Sequence, residues 1–348
     1  MVAWLSNSPA LGLIKGIRRW VADRGRFHGP MVAVCIGLGM AGCSDSGDWQ
    51  GPDTPAMLVT EGWNFGQSPG RVIRTAHYNL HTTIADEQVL LVVPQVMEGA
   101  LRQYRQLVPG IPLTSRPMDC YLFANRTEWA AFTAAHAGED AQVYLQVLRG
   151  GYCHEDRTVT YFLGDLSTYS VTAHEGWHQF VARHFKTRLP PFLEEGIASM
   201  FESVTFDRDL PRWNLSVNYN RIDKLRAAVA GGDLWPLEEL MRLHAGEVIA
   251  LPAERIEAFY AQNWAFARFL WDGEQGRYRP AFQRLLHESA VGALPAGVAT
   301  PADGRAWRTP AVASLLEHYL QMPMDEIDRR FQDYVRFIAT EGYRAQWK

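Results

Sequence analysis

The chain has 348 residues, enough for one large domain or two smaller ones with a sizeable buried core. Its composition is that of a globular protein, with 47% hydrophobic and 21% charged residues and a formal net charge of −4. That mild acidity, with no Lys/Arg stripe to line a channel, excludes nucleic acid and anionic lipid as favoured partners.

Residues 1–42 differ in character from the rest of the chain. Lys15, Arg18, Arg19, Arg24 and Arg26 precede the apolar run from Met31 to Met40, which has signal-peptide length and is too short to span a bilayer comfortably. Export is the expectation. Met40-Ala41-Gly42-Cys43 resembles a bacterial lipobox, which implies lipid attachment at Cys43 and a protein held in the cell envelope. Residues 1–42 carry those five basic residues and Asp23, so the remainder has a formal charge of −8. Ser44 to Gly70 is rich in Ser, Gly, Asp and Pro and reads as a flexible tether over 43–70.

Beyond the tether, Arg71 to Thr83 alternates like a strand and Ile84 to Leu107 has helical apolar spacing through Val89, Val93, Val96 and Leu101. Met118 to Phe123 is strand-like, Asn125 opens a helix ending near Gly138, and Tyr152 to Leu163 supplies one or two more strands. Gly164 to Ser167 breaks the last of these and offers Ser167 as a helix cap. The helix it opens should run to about Phe185, where Leu189-Pro190-Pro191 stops it.

That helix carries His174-Glu175-Gly176-Trp177-His178, an H-E-x-x-H pattern. Two histidines four apart lie about 40° from each other around a helix axis, one turn along, so both rings can reach one cation. Glu175 flanks that face, where it can take a proton from a hydrolytic water. A following helix, with Pro191 in its first turn, reads from Phe192 to Glu202. Leu193, Ile197, Met200, Phe201 and Val204 should face the core, while Glu195 shares a stripe with the small residues Ala198 and Ser199. Glu194 competes as a ligand, but its stripe holds Ile197 and Phe201, which favours Glu195. Two histidines and one carboxylate leave a fourth position open, the catalytic pattern for Zn2+.

The H-E-x-x-H pattern, followed sixteen residues on by Leu-x-Glu-Gly-x-Ala, resembles the gluzincin metallopeptidases of the peptidase MA superfamily. The likeness extends from about Val72 to Ala339, through Asn220, Lys224-Leu225 and Tyr260 to Ala265, segments similar to a group of bacterial exported proteins with a zincin-like domain. It implies His174, His178 and Glu195 as metal ligands, Glu175 as general base, and Tyr260 as the candidate donor to the developing oxyanion. Ser199 stands where a thermolysin-like chain carries an Asp, and the Gly-x-Met-Glu-Asn pattern of aminopeptidases is missing. The implied fold class is α+β and zincin-like, with a mixed-sheet lobe over 71–205 and a helical lobe over 206–348. Six helical segments are read in the second lobe, from Arg221 to Ala339, with an apolar stripe through Ile327, Phe331, Tyr334, Val335 and Ile338 in the last.

Of four cysteines, Cys35 lies in the export segment and Cys43 in the lipobox, leaving Cys120 and Cys153 on expected strands. An even pair in an exported domain is compatible with a disulfide, and two buried free thiols are the alternative. His77 and His81 are four apart on a strand-like segment, hence about 13 Å apart and unsuited to share an ion. His154, His184, His287 and His318 read as structural or surface residues. The expectation is therefore a membrane-anchored zinc peptidase acting on protein or peptide substrates, most simply an endopeptidase. A non-catalytic zincin-fold scaffold and a zinc amidase acting on cell-wall crosslinks are the alternatives.

Overall fold

The structure, a computed structural model, describes residues 58–295, 307 and 309–341. The export segment, Cys35, the lipobox with Cys43 and the first part of the expected tether lie outside the described residues. The end of that tether is not a linker: Val59–Phe65 forms strand β1 and Ser68–Arg74 forms β2, joined by a turn at Gly66 with φ 58°. β1 is a largely exposed edge strand, so its polar alternation has the composition of a linker. Its pairing with β2, from Val59 with Arg74 to Phe65 with Ser68, gives it order.

The stretch expected as one strand over 71–83 is two, since Thr75 to His77 turn the chain from β2 into β3 (Tyr78–Thr82). Helix α1 (Glu87–Leu107) starts at Asp86, whose carboxylate accepts from the amides of Gln88 and Val89. β4 (Met118–Phe123), α2 (Arg126–His136, capped by Asn125) and a short α3 (Ala141–Tyr144) come next. β5 (Gly151–His154) and β6 (Arg157–Tyr161) form a hairpin around Glu155-Asp156. The six strands make one mixed sheet in the order β1-β2-β3-β4-β6-β5, in which β3, β4 and β6 run parallel and β5 is an edge.

Period-2 alternation assigns the faces. Met118, Cys120 and Leu122 of β4 join α1 in the main core, whereas Phe123 packs with Trp129, Phe132 and Tyr152 beneath α2. Helix α4 (Asp165–His184) lies beside α1 on the first face. Its start is three residues earlier than expected: Gly164, at φ 91°, is the cap, and Ser167 lies inside the first turn. Thr168 closes that end, donating to the Gly164 carbonyl and accepting from Leu163 N–H.

α5 (Pro191–Met200) has Pro at its first position, as expected. Val204, expected on the core face of that helix, instead begins a hairpin of β7 (Val204–Asp207) and β8 (Leu210–Trp213). Arg208 and Asp209 supply its turn with φ of 48° and 67°, without the Asn-Gly pair that would flag it in a sequence. The rest of the described residues are mainly helical: α6 (Tyr219–Gly231), α7 (Leu237–Arg242), α8 (Ala245–Val248), α9 (Ala253–Gly276), α10 (Arg279–Val291), α11 (Thr309–Leu320) and α12 (Met324–Glu341). Ile327, Phe331, Tyr334, Val335 and Ile338 are all buried, as their spacing requires. Among the described residues no helix is long and apolar enough to cross a membrane.

Two contacts set the position of the histidine-bearing helix and its neighbour. Tyr104 of α1 donates to the Ala173 carbonyl at 2.5 Å, an approach open only because residue 176 is glycine: a Cβ there would sit 2.7 Å from the Tyr104 hydroxyl. Likewise a Cβ on Gly196 of α5 would come 2.2 Å from the Asn263 carbonyl of α9. The close approach of α5 to the helical lobe thus depends on Gly196.

Cys120 and Cys153 are free. Both are in register with Thr158 of β6, which lies between their strands, so they stand two strand spacings apart, about 9–10 Å. A disulfide needs Cα atoms within about 7 Å, so the pairing does not form. Cys120 donates to Gln179 at 3.2 Å, and burial pushes its thiol up to about 12.

This packing has two measurable consequences. Gly196→Ala should destabilise the fold by about 1–3 kcal/mol through overpacking against a backbone that cannot yield, measured by chemical denaturation; an unchanged midpoint would mean that the two helices are not held this close. Peptide mapping after unfolding without reductant should find Cys120 and Cys153 both alkylated, and recovery of a peptide linking them would contradict the strand register.

Candidate metal centre

His174 and His178 project from one face of α4, and Glu195 reaches them from the first half of α5. Their donor atoms form a near-equilateral triangle. His174 Nε2 and His178 Nε2 are 3.3 Å apart, and Glu195 Oε2 lies 3.4 Å from the first and 3.7 Å from the second. A tetrahedron with donor bonds of about 2.0–2.1 Å has edges of about 3.3–3.4 Å, so one cation fits all three atoms with its fourth position free. Glu195 Oε2 is buried and receives no hydrogen bond, an orphan acceptor that a cation would satisfy.

Both rings are held from behind by carboxylates. His174 Nδ1 donates to Glu202 at 2.9 Å and His178 Nδ1 donates to Glu194 at 3.0 Å. Placing the proton on Nδ1 leaves the Nε2 lone pair of each ring for a metal. Glu194, weighed as a rival ligand, thus orients a ligand instead, and it also accepts from Arg188 at 2.9 Å. Ser199 does not take the role of the expected Asp: its hydroxyl is buried without a hydrogen bond, and Glu202, three residues later, orients His174 in its place.

The electrostatics favour a cation. Burial opposes charge on His178, yet Glu195 and Glu194 outweigh it and raise its pKa to about 10. His174 is also raised: burial lowers it, but the neighbouring carboxylates of Glu195 and Glu202 prevail. Burial raises Glu195 too, but the paired imidazoles hold it well below the usual carboxylate range. The carboxylates that hold a proton on these rings would equally attract a cation, and a metal bound there would have to displace that proton.

The centre opens into a cleft of about 640 Å³. Its floor includes His174, Glu175, His178 and Glu195; β5 forms one wall through Gly151 to His154, and α8 with His244 faces it. Glu175 is 5% exposed and sits close to Gly151, where an added Cβ would meet its Cγ at 3.2 Å. Tyr260 is elsewhere: it is 1% exposed, its ring lies 6.5 Å from that of His174, and the cleft walls do not include it. The hydrogen-bond donors that line the cleft include Tyr144, His154, Arg188 and His244. His154, expected to be structural or on the surface, lines this cleft 3.6 Å from Asp140.

Four other histidines agree with their sequence reading. His77 bonds Glu98 at 2.8 Å, His81 stacks on Tyr121, and His184 and His287 bond backbone carbonyls. Glu202 lies two residues beyond the end of α5, where helical spacing does not mark it. Nothing local marks Arg188 or Arg221.

Searches against protein-family models, curated proteins and solved structures found no match.

Adding Zn2+ to metal-free protein should raise its thermal midpoint, by the equivalent of about 2.7 kcal/mol at a hundredfold excess over Kd, and Glu195→Gln or His178→Ala should remove most of the gain. Because His178 is protonated below about pH 10 in the metal-free site, uptake at neutral pH should release a proton. Calorimetry in buffers of different ionisation heat reads that proton; buffer-independent heats would contradict it.

Proposed function

We propose that the protein is a zinc-dependent peptidase of gluzincin type, with an α+β zincin-like fold and a zinc ion at His174, His178 and Glu195. The observation carrying this reading is the three-atom triangle with an orphan carboxylate oxygen at the floor of an open cleft. Two imidazoles and one carboxylate with an open position suit zinc. Bound there, zinc supplies Lewis acidity that polarises a carbonyl and makes water acidic.

The chain's own groups supply the rest. Glu175, one residue from His174 and facing the cleft, accepts a proton from the attacking water and passes it to the leaving nitrogen. Strand β5 pairs with β6 on one side only and lines the cleft, so an extended peptide can lie along its free edge. This supports a polypeptide substrate and endopeptidase action. Donors for the developing negative charge are at hand in His154, Tyr144, His244 and Arg188, whereas Tyr260 supports His174 from within the core. With the export segment and lipobox of the sequence, the peptidase is assigned to the cell envelope, anchored through Cys43.

Metal analysis and a peptide-library assay on the full chain test this. Glu175→Gln should keep its zinc and lose about 10²–10⁴-fold in kcat, while Tyr260→Phe should stay close to the parent. Equal cleavage by the parent and Glu175→Gln, or a parent without zinc, would sink the reading.

A further inference from the structure

We infer that Arg221 is a positioning residue of the metal centre, fixing Glu202 so that Glu202 fixes the His174 ring. The inference rests on the metal-centre reading and deepens it.

Glu202 is 1% exposed at its side chain and Arg221 3%. Arg221 grips the carboxylate as a fork, Nη2 to Oε1 at 2.6 Å and Nε to Oε2 at 2.8 Å. Such a fork sets the plane of a carboxylate, which a single bond cannot do. Asn218 adds a third donor to Oε2 at 2.9 Å, and the same side-chain amine donates to the Ser199 carbonyl. Its oxygen accepts from the Arg221 amide, capping α6. The start of α6 and the end of α5 are thereby joined through one carboxylate, and Oε1 of that carboxylate is the acceptor for His174 Nδ1. Behind the pair, the Arg221 guanidinium lies 5.1 Å from the Tyr260 ring centroid, and Tyr260 in turn borders His174.

The other histidine provides the contrast. Arg188, Glu194 and His178 repeat the order Arg–Glu–His, but Arg188 is 43% exposed and makes one bond, which water can replace. The two chains should differ in consequence: the sealed one holds its histidine rigidly, the open one has solvent in reserve.

A buried ion pair is not required for stability as such, since a well-packed apolar pair of similar volume is often as stable. What the apolar pair cannot supply is an acceptor for His174 Nδ1. Without it the imidazole can turn, or carry its proton on Nε2 where the metal must bind.

The test is zinc titration of the full chain, with thermal unfolding of each metal-free variant alongside. Arg221→Met with Glu202→Leu replaces both charges at once and should unfold near the parent while binding Zn2+ about 10–100-fold more weakly. Arg221→Lys, which keeps the charge and loses the fork, should weaken binding about tenfold with little change in unfolding, and it decides the matter if the double variant does not fold. Arg188→Met should stay within about threefold of the parent. Zinc affinity equal to the parent's in the Arg221 variants, or lost only in step with folding, overturns the inference and leaves the metal centre standing. A parent that takes up no zinc overturns both.

Discussion

The structure depends on bringing one carboxylate oxygen from α5 within 3.7 Å of two imidazole nitrogens on α4. Three like-sized polar atoms do not gather in a protein interior without compensation, because burial penalises each one's charge. Here the surroundings hold them in place. Gly176 lets Tyr104 reach the backbone of α4, and Gly196 lets α5 press against α9. Glu194 and Glu202 then turn each ring so that its free nitrogen faces Glu195. Backbone packing sets the separation of the helices and hydrogen bonds set the rotation of the rings.

The mixed sheet serves this centre indirectly. It supplies the floor on which α1 and α4 lie, and Gln179 ties α4 to it by donating to the carbonyls of Asp119 and Asp156. It also ends in β5, whose unpaired edge borders the cleft, so the element that stops the sheet is the one that can receive an extended chain. The helical lobe contributes from the opposite side, through α8 at the rim and through α6, whose cap Asn218 and first-turn Arg221 lie beneath the centre.

How much of this was legible in the sequence depends on the range of each signal. The H-E-x-x-H spacing and the glutamate on the next helix are short-range patterns on regular elements, and the structure brings all three candidate ligands together. The long apolar periodicities gave α1, α4 and α12 to within a few residues. Arg221 was invisible because its importance comes from a partner nineteen residues away on another element. Resemblance points to Tyr260 as an oxyanion donor, whereas its neighbours Phe259, Trp264 and Phe266 mark a core segment, and α9 buries it with them. Strand β1 hid in a stretch with linker composition because an edge strand keeps its polar residues in water, and β7 and β8 hid because four-residue strands have too little alternation to register. The cysteine pair had the right count, but the intervening strand keeps it apart.

X-ray absorption at the zinc edge on metal-loaded full chain, beside Glu195→Gln, addresses the central claim most directly. The account predicts one zinc with two imidazole nitrogens and a carboxylate oxygen at about 2.0–2.1 Å, and a first coordination sphere that changes when residue 195 is altered. A sphere with one imidazole or none, or one unaffected by the substitution, would contradict it.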